Sequence, residues 1–263
     1  MHFKTILLTK KDGVSTITFN RPDVLNAFNY QMSAELKEAV SDIAEDASIK
    51  VVVITGAGSA FMAGADINMI QEWTDLHERG GNVKEIFENS FSPTMLEKLP
   101  QPVIAAVNGY AFGMGCEIVL GCDLCIASEN AQFGQLEIKL GIMTGDGGSV
   151  RLTRLVGKLK AMEMVLTGDR INAQEAYRIG LANQVVPPVK LLEAVGILTD
   201  KLRSKSAVAL KSSKASVNKS ADLCLSDALE YELSMFCEVI GTEDAREGLS
   251  AFLEKRRPEF KDK

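Results

Sequence analysis

The sequence predicts an α/β protein whose chain ends in helices alone, and three observations carry that prediction. The run "KVVVITGAG" (50–58) has the continuous apolar composition of a strand that is covered on both faces. Other segments repeat apolar residues at helical spacing. After about residue 195 nearly every predicted element is helical. We therefore expect an α/β core over residues 1–195 and a helical region over residues 196–263.

The first predicted elements are a β-hairpin and an amphipathic helix. Two β-rich runs, 3–9 and 14–20, flank "KKDG", whose Asp-Gly pair favours a tight turn. From Asn29, a good helix N-cap, apolar residues recur at 32, 36, 39/40 and 43. The solvent-exposed face of this helix is predicted to carry its acidic residues, Glu35, Glu38, Asp42, Glu45 and Asp46.

The rest of the chain is predicted to alternate between strands and helices. Strands are expected in 50–58, 102–109, 124–128 and 182–188, and "AQFGQ" (131–135) is expected to lead into a turn. Helix, loop and helix are predicted over 68–98, with further helices in 113–122, 145–157, 158–167, 173–179, 189–204, 206–219, 222–240 and 242–256. The segment 222–240 also carries an apolar stripe, which predicts contact with another part of the molecule or with another subunit.

Composition excludes several classes of protein. The net charge of −6 and the absence of a Lys/Arg-rich face argue against nucleic-acid and anionic-membrane partners. No window reaches the roughly 18 consecutive apolar residues of a membrane span, and the first residues lack signal-peptide features, so we expect a cytoplasmic protein. The 5 cysteines do not predict a disulfide framework. "CDLC" (122–125) is interpreted as core, and with only His2 and His77 in the chain no zinc site is predicted.

Most catalytic and nucleotide-binding motifs are also missing. "VVVITGAGSAF" resembles a dinucleotide loop, but Phe61 stands where the third glycine belongs. The chain has no GxxxxGK[ST] phosphate loop and no GxSxG nucleophile elbow.

Two other glycine-containing loops make better physical sense together. "FMAGADI" (61–67) offers small residues whose backbone N–H groups a ligand can approach closely. "GYAFGMGCE" (109–117) runs from a strand into a helix, where the first N–H groups have no intrahelical partner. Two such donors aimed at one carbonyl oxygen would form an oxyanion hole. Ordinary turn glycines remain the alternative for each loop alone.

Two glutamates in apolar surroundings are the candidate acid and base. Glu117 lies inside "VNGYAFGMGCEIVLGCDLCIA", and Glu137 lies between Leu136 and Ile138. Burial is expected to raise the pKa of both carboxyl groups towards neutrality, as proton transfer requires. A solvent-facing position on an edge strand is the alternative for Glu137. Asp123 and Asp146 compete as acids, but both lie beside turns, where capping is the simpler role.

Three long segments resemble the crotonase superfamily, and enoyl-CoA hydratases most closely. They are "PVIAAVNGYAFGMGCEIVLGCDLCIASENAQFGQLEIKLGI", "GGSVRLTRLVGKLKAMEMVLTGDRINAQEAYRIGLANQVVP" and "EDAREGLSAFLEKRRPEFKD". The resemblance implies a spiral core of repeated ββα turns, and C-terminal helices that build a homotrimer or a homohexamer. It also implies an acyl-CoA thioester substrate, with no metal and no other cofactor.

The resemblance further implies a role for each site residue. Glu117 and Glu137 would be catalytic, and the amides of Ala63 and Met114 would form the oxyanion hole. The substrate-binding residues would be Ala63, Gly64, Ala65, Asp66, Ile67, Gly113 and Met114. Water would add across the 2,3 double bond, or leave in the reverse direction.

Departures from the family pattern concern the acyl group rather than the chemistry. Met114 stands where the family usually has glycine, and Leu136 stands where proline is common. Met143-Thr144 takes the place of a frequent Ile/Pro-Pro pair, and Asp146 adds an acid. They leave room for a branched, hydroxylated or cyclic acyl chain. An isomerase or hydrolase of the superfamily, an RNA-binding relative and a protein that only assembles are the alternatives. The acidic helix 33–46 argues against RNA.

Overall fold

The computed structural model describes residues 3–263 and confirms the α/β architecture, with two sheets that share one core. The larger sheet has six strands in the order β1-β2-β3-β5-β7-β10, and the smaller has four in the order β4-β6-β8-β9. The strands are β1 Ile6–Lys11, β2 Val14–Phe19, β3 Val51–Gly56, β4 Ala60–Met62, β5 Val103–Val107, β6 Tyr110–Phe112, β7 Leu124–Ser128, β8 Gln132–Gly134, β9 Ile171–Asn172 and β10 Gln184–Val186.

Helices cover the sheets and then continue alone to the C-terminus, as expected. They are α1 Tyr30–Glu45, α2 Ile67–Glu78, α3 Val83–Asn89, α4 Thr94–Lys98, α5 Met114–Gly121, α6 Gly148–Val156, α7 Lys158–Thr167, α8 Ala173–Arg178, α9 Leu191–Arg203, α10 Ala207–Ser220, α11 Leu225–Ile240 and α12 Glu243–Glu254. Short 3-10 helices occur at Pro22–Val24, Glu137–Leu140 and Pro188–Lys190. Within residues 3–263, no helix has both the length and the apolar composition needed to cross a bilayer.

The predicted hairpin and buried strand are both confirmed. β1 and β2 pair antiparallel across Asp12 and Gly13, which both adopt positive φ angles, 50° and 76°. Such a pair matches the twist of a two-residue hairpin turn. β3 then pairs parallel with β2 and with β5, and its first four residues are buried. The continuous apolar run therefore reflects a central strand that is covered on both faces.

The smaller sheet is the feature that the residue patterns alone did not predict. β4, β6 and β8 are three residues long, and each follows a strand of the larger sheet after a short turn. The prediction that 131–135 only leads into a turn is therefore incomplete, because Gln132–Gly134 pairs with β6. Three residues are too few to show an alternating pattern. The repeated order of long strand, short strand and helix is the expected ββα core.

Helix α1 follows the predicted pattern except at one acid. The Asn29 side chain accepts the N–H of Met32, which caps the helix. Glu35 was predicted on the solvent-exposed face but is buried. Its carboxylate accepts the backbone N–H groups of Lys4 and Thr5, both at 2.8 Å. This acid therefore holds the start of the chain against α1.

The C-terminal helices are fixed to the core by a buried cation. Lys214 on α10 pairs with Asp123 at 2.7 Å and donates to the carbonyl oxygens of Leu96 and Gln101. Earlier in the chain, α9 packs on β3, β5 and β7, and the predicted boundary between residues 195 and 196 falls inside this helix. The division into 1–195 and 196–263 stays a prediction.

The predicted apolar stripe of 222–240 lies on one face of α11. Its side chains are between 50% and 76% exposed. They are Leu225, Leu229, Leu233, Phe236 and Ile240. Their spacing of three or four residues places them in one line along the helix.

Candidate active site

A cavity of about 830 Å³ lies between helices α2 and α3 and the ends of the smaller sheet. It brings together the carboxylates of Glu117 and Glu137 with the two glycine-containing loops. Among the predicted site residues, those that line it are Ala63, Gly64, Ala65, Ile67, Gly113, Met114, Glu117 and Glu137. Segments that are distant along the chain therefore meet at one site.

Gly113 is the position where the pieces of the site converge. It has φ 49° and ψ −121°, a conformation that side-chain-bearing residues avoid. A Cβ at this position would lie 2.9 Å from Oε1 of Glu137 and 3.6 Å from the Cα of Gly64. Helix α5 begins at the next residue, Met114. The glycine thus allows the first turn of α5, the Gly64 loop and Glu137 to approach one another.

Glu117 lies on the first turn of α5 and is only 3% exposed. Its Oε1 accepts two backbone N–H groups, from Asp146 and Gly148, both at 2.9 Å. Burial, with a smaller contribution from the nearby charges of Glu137 and Asp146, raises the pKa of Glu117 to about 7. The two amide donors act in the opposite direction and lower this pKa. This carboxyl group therefore changes its protonation state near neutral pH, which suits a general base.

Glu137 begins the 3-10 helix Glu137–Leu140. Its Oε2 is buried and has no hydrogen-bond partner among residues 3–263. Burial raises the pKa of this carboxyl group as well. The alternative of a solvent-facing residue on an edge strand is wrong, because the 3-10 turn directs the side chain into the cavity wall. A carboxyl group with a raised pKa and an unused oxygen can deliver a proton to a ligand.

The amide of Ala63 is already used by the fold, so its predicted role in the oxyanion hole is wrong. It donates to the carbonyl oxygen of Leu25 at 3.0 Å. In the next residues, the Gly64 carbonyl accepts the N–H of Phe28 at 2.9 Å, and the Asp66 N–H donates to the Phe28 carbonyl at 2.7 Å. Between these bonds the amide of Ala65 donates to no acceptor within residues 3–263. Ala65, rather than Ala63, supplies the unused N–H of this loop.

The second predicted donor is not used by the fold. The N–H of Met114 opens α5 and donates to no acceptor in the described part of the chain. As the N-terminal end of a helix, this position also favours negative charge. The Met114 side chain is 7% exposed and belongs to the hydrophobic core cluster. The side chain is therefore packed in the core, while Met114 also forms part of the cavity wall.

Asp66 does not line the cavity, which corrects its predicted contact with the substrate. Its Oδ1 accepts the N–H of Asn68 and caps α2. Its Oδ2 pairs with the guanidinium of Arg21 at 3.1 Å. Asp66 therefore fixes the loop that presents Ala65, without facing a ligand itself.

Gln135 lies behind Glu117, outside the cavity lining, and no sequence pattern indicated its position. It is 1% exposed, and neither of its side-chain polar atoms has a partner in residues 3–263. A Cβ at Gly148 would lie 2.8 Å from Nε2 of Gln135 and 2.9 Å from Oε1 of Glu117. The amide therefore lies close to the buried carboxylate. A buried glutamine without partners is the signal, but burial cannot be seen in a sequence.

Part of the cavity wall is apolar. The rings of Trp73 and Phe87 lie 4.9 Å apart, and Phe91 and Met69 also line the cavity. Asp123, a competing acid, is outside the cavity and bonds to Val103 and Lys214. Asp146, the other competitor, lines the wall beside Glu117. The site thus combines two carboxyl groups of raised pKa, two unused amides and an apolar extension, which suits proton transfer next to a polarised carbonyl.

Comparison with known proteins gives one family. The sequence profile described as enoyl-CoA hydratase/isomerase matches residues 9–263. A probable enoyl-CoA hydratase of Mycobacterium bovis is 43% identical over 99% of both chains. A crotonyl-CoA hydratase of Syntrophomonas wolfei is 40% identical over 99% of both chains. The crystal structure of an enoyl-CoA hydratase from Bacillus anthracis has a TM-score of 0.89 at 36% identity, covering 99% of this chain and 100% of that chain.

Proposed function

The chain belongs to the enoyl-CoA hydratase/isomerase family, and we propose that Glu117 and Glu137 add water across the 2,3 double bond of an enoyl-CoA thioester in this cavity. The protein is a hydro-lyase, like its relatives. One observation supports the catalytic assignment above the others: both carboxyl groups and the two unused amides line the same cavity. The same groups serve the reverse reaction, in which water is lost.

The thioester oxygen is the group that the two amides are placed to bind. We assign these donors to Ala65 and Met114, because neither N–H donates elsewhere in residues 3–263. Attack of water at the β-carbon moves negative charge onto the thioester oxygen, as in an enolate. Fixed N–H donors stabilise that charge more than they stabilise the neutral carbonyl, and this difference lowers the barrier.

The two glutamates divide the proton transfers between them. Ionised Glu117 takes a proton from the water whose oxygen bonds to the β-carbon. Protonated Glu137 gives its proton to the α-carbon, so that one molecule of water is added, and proton exchange with solvent then returns Glu117 to the carboxylate and Glu137 to the acid. The amides of Asp146 and Gly148 hold Glu117 in place, and the buried amide of Gln135 lies beside it. This reaction uses no metal and no redox cofactor, and coenzyme A enters as part of the substrate.

The substrate is held mainly by backbone and apolar groups. Gly64 and Gly113 let the thioester approach the chain closely, and Ile67 lines the cavity with a side chain that is 58% exposed. The acyl chain then extends towards Trp73 and Phe87.

Crotonyl-CoA tests this function directly. We expect the protein to remove the conjugated enoyl absorbance and to form a product heavier by one water, measured by mass spectrometry. A product of unchanged mass with a moved double bond would contradict hydration and would indicate an isomerase. No reaction with crotonyl-CoA or with longer enoyl-CoA esters would contradict both activities.

The rate of hydration is expected to depend on the ionisation of Glu117. A carboxyl group whose pKa is raised to about 7 is protonated below that pH. Because Glu117 must be ionised to accept a proton, kcat/KM should fall as pH decreases through about 7. Glu137 must be protonated, so the rate should also fall as pH rises through the raised pKa of that group. A profile that stays flat from about pH 5 to about pH 9 would contradict this division of roles.

The remaining proposals concern the oligomeric state, the other partners and the cellular location of the protein. We infer a homotrimer or homohexamer, because the apolar stripe on α11 is exposed in the single chain and burial of such a face against another copy is favourable. Sedimentation of the purified protein measures this, and a monomer would contradict it. A cytoplasmic location and the absence of nucleic-acid and membrane partners stay predictions that rest on charge and composition.

A further inference from the structure

We propose that Asp146 selects acyl chains that carry a hydroxyl or another hydrogen-bond donor just beyond the reacting double bond. This inference rests on the proposed hydratase function and names the class of acyl group. A plain hydrocarbon chain gives no reason for a carboxylate in this wall, so the residue requires its own explanation.

The position of Asp146 fixes which part of a substrate it can touch. Its backbone N–H donates to Oε1 of Glu117 at 2.9 Å, and Asp146 itself lines the cavity. Glu117 handles the water that attacks the β-carbon. The Asp146 side chain belongs to the same residue that makes this contact, so we place it against the atoms that follow the β-carbon along the acyl chain.

One oxygen of the Asp146 carboxylate is used by the protein and the other is not. Oδ1 accepts the hydroxyl of Ser92 at 2.7 Å, which fixes the orientation of the carboxylate. Oδ2 receives no hydrogen bond from residues 3–263, and this oxygen is not fully buried. The second oxygen therefore keeps an accessible surface in a half-buried residue of the cavity wall.

No cation within residues 3–263 takes up this second oxygen. Arg151 is the nearest candidate, but its Nε and Nη2 bind the carboxylate of Glu97, at 2.7 and 2.9 Å. Its remaining Nη1 donates to the backbone carbonyl of Asp146, at 2.8 Å, rather than to the side chain. Oδ2 of Asp146 can therefore accept a hydrogen bond from a group on the substrate.

The surroundings make that acceptor costly for an apolar chain. Phe87, Phe91 and Ile142 line the cavity together with Asp146. A Cβ on Gly145 would lie 3.2 Å from the ring of Phe87, so the loop and the aromatic wall are in close contact. A polar oxygen facing hydrocarbon loses its hydration without compensation, whereas a substrate hydroxyl would restore a hydrogen bond. Sites built to hydrogen-bond a substrate hydroxyl discriminate strongly against the analogue that lacks it.

Two substrates with the same carbon skeleton test this inference. We would measure kcat/KM for crotonyl-CoA and for γ-hydroxycrotonyl-CoA, and compare the ratio of the two values between variants. In Asp146→Ala, the kcat/KM for the hydroxylated ester divided by the kcat/KM for the plain ester should fall about tenfold, because one hydrogen bond to a charged group is lost. Asp200→Ala, which removes an exposed aspartate of α9, is the matched control and should keep the original ratio.

Asp146→Asn keeps the experiment decisive if the alanine variant does not fold. Its side-chain oxygen can still accept from Ser92, while the charge facing the chain is removed, so the ratio should fall at least about threefold. An unchanged ratio in both folded variants, or in the asparagine variant alone if only that one folds, would overturn the inference and leave hydration of crotonyl-CoA intact. If the unmodified protein hydrates neither ester, the proposed function fails first.

Discussion

Replacing Glu117 with Gln is expected to lower kcat for hydration by about 100- to 10,000-fold, the range typical of a lost general base. The substitution preserves the shape of the side chain, and the amide oxygen of Gln can still accept the N–H groups of Asp146 and Gly148. What disappears is the ability to take a proton from water. Steady-state kinetics with crotonyl-CoA measures the effect, with circular dichroism to confirm the fold.

The matched control for that variant is Glu129→Gln, at an exposed glutamate that follows β7. It should retain the activity of the unmodified protein. Glu137→Gln is expected to lose activity to a similar extent, because the amide cannot donate a proton to the α-carbon. If either site variant turned over at the normal rate, the assignment of the two proton transfers would have to be abandoned.

The second large effect is expected from a backbone change, Ala65→Pro. Proline has no N–H, so this variant removes one of the two proposed donors to the thioester oxygen. We expect kcat to fall by about 100- to 1,000-fold, the loss typical of one oxyanion donor. The free energy of unfolding should change little, because this N–H makes no bond within residues 3–263.

Ala63→Pro is the informative comparison for this position. The N–H of Ala63 donates to Leu25 at 3.0 Å, so its removal should lower the free energy of unfolding measured in urea. If Ala63→Pro instead reduced kcat in a stable protein, while Ala65→Pro remained active, the donor would be Ala63 and the assignment made from the hydrogen bonds would be wrong.

Sequence patterns predicted the long elements because those elements bury one face over many residues. The strand Val51–Gly56 and the helix Tyr30–Glu45 each carry such a pattern, and the prediction of both is confirmed. The smaller sheet escaped prediction because β4, β6 and β8 are three residues long. Its pairing depends on contacts between segments that are far apart in the chain, and no local pattern encodes those contacts.

In the site, too, local sequence patterns predicted some features, while contacts between distant segments decided the others. Glu117 and Glu137 could be found because acids are rare in apolar segments. Whether an amide is unused depends on its partner, and the choice between Ala63 and Ala65 required the carbonyl of Leu25 to be placed. Glu35 was wrongly predicted on the solvent-exposed face because its burial comes from Lys4 and Thr5, which precede the helix in the chain. Partners distant in sequence decide each of these cases.

The loop from Asp146 to Gly148 has a consequence for protein engineering. The same short segment holds Glu117, the proposed base, through two N–H groups and carries Asp146, the side chain that we propose to face the acyl group. A change made there to broaden the range of accepted chains will also move Glu117 and slow turnover. Directed evolution of this enzyme should therefore show selectivity and speed as linked traits at residues 146–148, and as separable traits at the aromatic wall around Trp73.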